Sequence, residues 1–303
     1  MTAETDYTHV HENIRPFLKI EGRRRLHDCW DRIWVPTPST KEAFIALSDC
    51  MNAPSSTKPR GLVITGDSDS GKSRTLTAFR DRHKPDIVPG AEYAEFPAIY
   101  IQAPDKPSRT AVFKSILAEL GHPILYNASE DDLRRHTVNM IRGCQVGTIM
   151  IDEFHDISRE RMSNQLVEFL RFIKSLINET GRPFVIAGVP AVLDIIASEK
   201  QMAGRFETVV ELRPFTRDEF AKILVSFGKM LPLRNPSNLR DPKNAEIAHE
   251  LFARSGGLIG RLSTLLHDAC RIAIESKEER LTPDIVRAIP ERAIEAARRR
   301  AAG

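Results

Sequence analysis

The sequence predicts an α/β fold: a five-stranded parallel sheet followed by a small all-helical domain. Three observations predict it. Five short apolar runs, 61–65, 98–102, 148–151, 184–187 and 208–212, have the length and β-branching of buried strands. Helical stretches separate them, and strands alternating with helices pack as a parallel sheet with right-handed crossovers. After Leu212 the strand pattern stops and only helical periodicity continues.

The elements follow in order. Ser39-Thr40-Lys41-Glu42 has the spacing of a capping box, with Phe44, Leu47 and Met51 at helical intervals behind it and Pro54 beyond its end. Residues 55–60 read as a loop into the first strand. Further helices are expected over 71–82, 109–120, 130–142 and 159–180. The last carries Met162, Leu166, Phe169, Leu170, Ile173, Leu176 and Ile177 on one face and Gly181 at its end. Thr216-Arg217-Asp218-Glu219 is a second capping box, opening a helix to about Met230. Residues 231–242 form a Pro- and Asn-rich loop. Helices over 244–254, 259–276 and 283–289 follow, the last with Thr282 as cap and Pro283 in its first turn. A final helix is expected over 291–300. The expected domains are an N-terminal extension (1–35), an α/β nucleotide-binding domain (36–214), a helical lid (215–290) and a basic tail (291–303).

Composition narrows the class. Apolar residues make 41% and charged residues 28% of 303, a globular balance that excludes disorder. The longest uncharged apolar stretch, 184–193, is too short to cross a bilayer, so no membrane association is expected. The start, MTAETDYTHVHEN, has neither a basic n-region nor an apolar h-region, so no secretory signal is expected. Cys29, Cys50, Cys144 and Cys270 are widely spaced with no CxxC pair, which predicts reduced thiols and a cytoplasmic location. The net charge of +3 sits in residues 287–303, and the rest of the chain sums to zero. A second basic cluster is Arg15, Lys19, Arg23, Arg24 and Arg25. Each cluster is either a solvated face or a contact for phosphates or an acidic partner.

The chemistry concentrates at two strand ends. Gly66-Asp67-Ser68-Asp69-Ser70-Gly71-Lys72-Ser73 fits G-x-x-x-x-G-K-[ST], follows the first strand and opens a helix. The glycines let backbone N–H groups turn towards phosphate oxygens, and the helix N-terminus adds a positive dipole end. Lys72 would reach the β- and γ-phosphates of ATP, the Ser73 hydroxyl would hold Mg²⁺, and Arg74 continues the binding segment. Asp67 and Asp69 weakly oppose a phosphate tenant, but the backbone donors dominate. The third strand ends in Asp152-Glu153. Asp152 would hold the Mg²⁺ water shell, and Glu153 would polarise the attacking water as general base. His155 completes Asp-Glu-Phe-His and reads as a local polar residue or a sensor. His9 and His11 form an isolated H-x-H.

This layout resembles the AAA+ superfamily of P-loop NTPases over roughly residues 35–290. The resemblance implies that Arg205, in Gly204-Arg205-Phe206 before the fifth strand, reaches the γ-phosphate held by a neighbouring subunit. It implies that Arg261, in Gly256-Gly257-Leu258-Ile259-Gly260-Arg261, is the lid's nucleotide-sensing arginine. The alternatives are a surface arginine for the first and a phosphate-independent salt bridge for the second. The chain departs from the superfamily at the fourth strand: Ala187-Gly188-Val189-Pro190 has no polar sensor residue, which implies modest hydrolysis.

Within the superfamily, Trp30-Asp31-Arg32-Ile33-Trp34-Val35-Pro36, the short helix after it and Pro59-Arg60-Gly61 before the phosphate loop look like the TniB/TnsC group, AAA+ regulators of DDE-type transposons. The Asp152-Glu153-Phe154-His155 variant and the lid motif fit the same group. The resemblance implies an ATPase that assembles with ATP into a ring or helical filament on duplex DNA, recruits the transposase and is released by hydrolysis, with a DDE transposase and a TniQ-like adaptor as its partners. It places DNA contacts on pore-facing loops, here Lys106 and Arg109 after the second strand, with Arg134 and Arg135 as a second pair. Such contacts would be to the backbone, salt-sensitive and weakly specific. Trp30, Ile33, Trp34 and Val35 either pack near the adenine or make plain core contacts. Arg298–Arg300 would dock the transposase or adaptor. The competing readings are a replication or origin-loader ATPase, a monomeric P-loop kinase, and a scaffold that binds ATP without turnover.

Overall fold

The computed structural model describes residues 7–87, 89–90, 92–122, 128–154 and 164–291. In chain order, a 3₁₀ turn (Arg15–Lys19) and α1 (Arg23–Trp30) precede α2 (Pro38–Met51), β1 (Leu62–Thr65) and α3 (Lys72–Arg82). Then come β2 (Ala98–Gln102), α4 (Arg109–Glu119), α5 (Glu130–Gly143), β3 (Thr148–Asp152), α6 (Asn164–Thr180) and β4 (Phe184–Gly188). Two short helices that the sequence did not signal, α7 (Ala191–Ala197) and α8 (Lys200–Ala203), lead to β5 (Thr208–Glu211). The remainder is helical: α9 (Arg217–Gly228), α10 (Ala245–Ser255), α11 (Ile259–Glu275) and α12 (Pro283–Arg287). His155, Met162 and the helix and basic tail expected beyond Glu291 lie outside the described residues.

Two compact units result, one of Ser39–Arg213 and one joining Met1–Pro38 to Pro214–Gly303. In the first, the five strands pair in parallel in the order β2-β3-β4-β1-β5. Alternate strand residues feed opposite faces. Val63, Ile99, Ile149, Ile151 and Ile186 pack with α4, α5 and α6, while Leu62, Ile64, Met150 and Val185 pack with α2 and α3. Both faces are covered over β1, β3 and β4, which is why these strands read as continuous apolar runs. β5, expected to be buried, lies at the sheet edge and is largely exposed, with Val209 46% open. The order reverses at β1, so the carboxyl ends of β1 and its neighbours form the crevice where α/β sheets hold ligands.

The N-terminal segment is not a separate extension. Val10, Ile14, Leu18, Leu26, Cys29, Ile33 and Val35 share one core with Phe220, Leu224, Leu262, Leu266 and Cys270 of the helical unit. Trp30 stacks edge-on against His267 with ring centres 5.0 Å apart, so Trp30, Ile33 and Val35 take the core alternative. Arg25 is likewise no solvated cation. It is fully buried and donates to both carboxylate oxygens of Glu279, at 2.6 and 3.0 Å, and to the carbonyls of Ile20 (2.8 Å) and Pro232 (3.1 Å). The five cations of this stretch hid its apolar positions from a reading by charge.

One cap also shifts. α2 begins at Pro38, so Ser39 lies inside the first turn instead of capping it, as suits a proline whose fixed φ favours that turn. The Thr216 box forms as expected, with Thr216 Oγ1 accepting from the Glu219 amide and Glu219 accepting from the Thr216 amide.

Candidate nucleotide site

The loop after β1 has the backbone a phosphate cradle needs. Gly66 (φ 156°), Asp69 (φ 67°) and Gly71 (φ 90°) are all at positive φ. A Cβ on Gly66 would lie 2.7 Å from both the Leu212 carbonyl and Ser70 Oγ, so the turn admits only glycine. Lys72, the first residue of α3, is buried and donates from Nζ to the carbonyls of Gly66 (2.8 Å) and Asp67 (2.9 Å). Burial depresses its pKa, while the charges of Glu153, Asp152, Asp67 and Asp69 act in the opposite direction. Two buried hydroxyls, Thr65 Oγ1 and Ser70 Oγ, have no hydrogen-bond partner here. A buried polar group costs free energy until it is bonded. The loop therefore offers cation, hydroxyls and inward-turned backbone to an anion, and its residues fit a triphosphate.

The second acid pair lies at the end of β3, one strand beyond β4. Asp152 is fully buried. Its Oδ2 accepts from the Tyr100 hydroxyl (2.9 Å) and its Oδ1 from the Glu153 amide (2.9 Å). Tyr100 sits on β2, and burial followed by the nearby Asp152 charge pushes its pKa up, so it stays a donor. Sequence reasoning missed Tyr100, because its meeting with Asp152 depends on the β2–β3 register, in which Gln102 stands opposite Asp152. Glu153 holds φ 53°, a conformation costly for a side chain with a Cβ. That residue takes the chain out of the strand. Ser73 follows Lys72 in the first turn of α3, half-buried, and with Asp152 it supplies oxygen donors suited to Mg²⁺. β4 ends in Gly188, level with Thr65, and brings no polar side chain.

Arg205 lies elsewhere. It precedes β5, which runs parallel to β1 with Thr208 opposite Leu62 and Glu211 opposite Thr65. Arg205 is therefore at the amino edge of the sheet and the phosphate loop at the carboxyl edge, at least ~10 Å apart along the strands. Its Nη1 donates to the Pro59 carbonyl (3.4 Å), and its own carbonyl accepts from the Gly61 amide (2.8 Å). A Cβ on Gly61 would sit 2.3 Å from the Phe206 ring. Gly61 thus lets Phe206 close down, and Phe206 fixes Arg205.

The model of the bacterial TniB protein family matches residues 25–216, well over half of the chain. The chain belongs to the TniB family. No curated protein sequence matches it at a significant level. Among solved structures it is similar to the Aeropyrum pernix ORC2 protein in ADPNP-ADP complexes, with a TM-score of 0.64 and 19% identity over 87% of this chain and 70% of that one. It is also similar to the Aeropyrum pernix ORC1 protein in complex with DNA, with a TM-score of 0.59 and 18% identity over 84% and 65%. Cdc6p from Pyrobaculum aerophilum gives 0.54 and 16% over 83% and 65%. The chain thus spans just under two thirds of the ORC1 and Cdc6p chains. At these identities the likeness is one of fold, and the fold is that of the AAA+ P-loop ATPases.

The cations expected on DNA-facing loops of this TniB-family chain differ among themselves. Lys106 is exposed. Arg109 pairs with Glu130 (3.5 Å) and Glu168 (3.6 Å) and lies over the Phe172 ring. Arg134 pairs with Glu179, and Arg135 with Asp132 at 2.5 Å. Arg171 pairs with Glu168 (2.9 Å). On the α4–α6 surface three arginines, 109, 134 and 171, therefore meet three glutamates, 130, 168 and 179, and the patch has no net charge. In the helical unit, Arg261 is the third residue of α11, with Gly256 packed close to its guanidinium.

Proposed function

We propose that this protein is a DNA-associated AAA+ ATPase that regulates transposition. With ATP it assembles into a ring or filament on duplex DNA, recruits a DDE transposase with a TniQ-like adaptor, and comes apart when ATP is hydrolysed. The observation that carries the reading is the placement of Arg205 on the sheet edge opposite the phosphate loop, in a chain of the TniB family. An arginine so placed acts on a nucleotide only from a second copy, which ties hydrolysis to assembly.

In this scheme the loop 66–73 and Arg74 bind the triphosphate, with Lys72 bridging its β and γ groups. Ser73 and Asp152 would hold Mg²⁺, whose charge offsets that of the phosphates, and Tyr100 keeps Asp152 oriented. Glu153 accepts a proton as the water oxygen attacks the γ-phosphorus and the bond to the β–γ bridging oxygen breaks. Arg205 of the adjacent copy stabilises the charge on the transferring group. With no polar residue at the end of β4, turnover is slow and depends on assembly. Arg261 is the proposed nucleotide-responsive residue of the helical unit. DNA contact rests on Lys106, while Arg109, Arg134 and Arg135 are committed to ion pairs.

Electron microscopy with duplex DNA and ATP, a non-hydrolysable analogue or ADP tests the proposal. DNA-bound oligomers are expected with triphosphate, and Glu153→Gln is expected to hold them in ATP. A monomer under every condition would sink the reading.

A further inference from the structure

Around Arg205 lies a cleft of about 580 Å³ in which cations gather: Lys58 and Arg60 from the loop before β1, Lys174 from α6, and Arg205. The acid lining it is the exposed Glu207. Lys58 and Arg60 are exposed, and among the described residues neither they nor Arg205 form an ion pair. Lys174 bonds to the neutral amide of Gln201. Three separate segments converge here, and the excess of positive charge is not offset from within the chain. Gathering like charges costs electrostatic free energy unless an anionic partner offsets it.

The opposite edge of the same sheet has the complementary composition. Asp67 and Asp69 are exposed on the phosphate loop, and Glu153 stands at the end of β3. One edge thus holds a positive recess, and the other presents two exposed acids on the rim of the phosphate loop. Such a pair of unlike edges on one molecule suits head-to-tail contact between copies. A DNA backbone spreads its charge evenly along a rod and asks for a strip of cations; this is a single recess.

Accepting the assembly proposed above, we propose that Lys58, Arg60 and Lys174 form with Arg205 a docking recess for the phosphate-loop rim of a second copy, with Asp67 of that copy as a principal counter-charge. This gives the two loop acids, which hinder phosphate binding within one chain, a use between chains. Lys58 and Arg60 are positioning residues: they seat the neighbour's loop so that Arg205 meets its γ-phosphate. Contact of this kind is formed largely by exposed charges and weakens as salt rises.

The test uses the full chain and mass photometry in the presence of a non-hydrolysable ATP analogue, with fluorescent nucleotide binding measured in parallel. The double variant Lys58→Glu/Arg60→Glu is expected to raise the concentration for half-assembly about tenfold or more, an effect near 1.4 kcal/mol, with nucleotide affinity of the isolated chain retained. Asp67→Lys is expected to weaken assembly in the same direction, and combining it with Lys58→Glu/Arg60→Glu to restore much of it. That restoration distinguishes pairing from misfolding. Assembly unaltered by the double reversal, while Arg205→Ala still abolishes turnover, would overturn the recess and leave the proposed function standing. Loss of DNA binding with assembly intact would assign the cleft to DNA and also overturn it. Absence of any wild-type oligomer would remove both.

Discussion

The α/β unit has two arginine-rich places, and they are built on opposite principles. On the α4–α6 surface three arginines each have a carboxylate of their own chain: Arg109 has Glu130 and Glu168, Arg134 has Glu179, and Arg171 has Glu168. Around Arg205 the contacts are neutral, a backbone carbonyl for Arg205 and an amide for Lys174. The first arrangement spends its charge on holding helices together. The second leaves its charge available. Counting cations along a sequence treats the two alike, and only the second arrangement has charge left for a partner.

The sharpest way to break this contrast is at Arg205. If its charge serves a second copy's nucleotide, Arg205→Ala should cut DNA-stimulated ATP turnover by about 10³-fold, measured as phosphate release at saturating ATP, with nucleotide binding unchanged. Removing Arg171, an exposed arginine paired with Glu168, should alter turnover little. Equal losses for the two variants would erase the distinction.

Arg25 supplies a third case, the buried pair of the helical unit. Arg25→Met leaves Glu279 without its bidentate donor, and removing one partner of a buried pair costs about 3–5 kcal/mol. Both tryptophans of the chain, Trp30 and Trp34, lie close to this segment. Denaturant unfolding followed by tryptophan fluorescence should therefore show a lowered midpoint. An unchanged midpoint would mean that the pair contributes nothing beyond what packing supplies.

These contrasts also mark what the sequence could reveal. The phosphate loop and Asp152-Glu153 were legible because each is a contiguous segment at the end of an apolar run, where residue type and local backbone decide the chemistry. Arg205 was singled out by the resemblance to the superfamily, and its separation from the phosphate loop came only with the parallel β1–β5 register. Tyr100 was not, since a hydroxyl on one strand meets a carboxylate on another only after the register is set. Lys58, Arg60 and Lys174 were not, since they come from segments far apart in the chain. Arg25 was misread for a different reason: in a run of cations its burial depends on an acid more than 250 residues away, Glu279. The N-terminal segment was set apart for the same cause, because its apolar positions find their partners only in the helical unit.

A smaller effect separates the two DNA candidates. Lys106→Ala should weaken DNA binding and reduce the slope of log affinity against log salt by about 1, for the one phosphate no longer neutralised, while Arg109→Ala should add little, its guanidinium being held by Glu130 and Glu168. Arg134→Ala with Arg135→Ala should leave the slope near its wild-type value, because those guanidinium groups are already held by Glu179 and Asp132. Fluorescence anisotropy at several salt concentrations reads both. A larger slope change from the second pair would move the DNA surface onto α5.

The smallest expected effect concerns the paired patch itself. Glu179→Gln removes the carboxylate that Arg134 holds between α5 and α6 while keeping a hydrogen-bonding amide in its place. Both side chains are partly exposed, Arg134 at 47% and Glu179 at 32%, so solvent screens the pair and its loss should cost only about 0.2–1 kcal/mol of stability. The same change gives the α4–α6 surface a net positive charge. If pairing is what keeps this patch silent towards DNA, the variant should bind duplex slightly more tightly at low salt and no differently at high salt, where exposed charges are screened. A variant that loses several kcal/mol, or binds DNA no better at any salt, would show that Glu179 acts through packing and not through the charge it cancels.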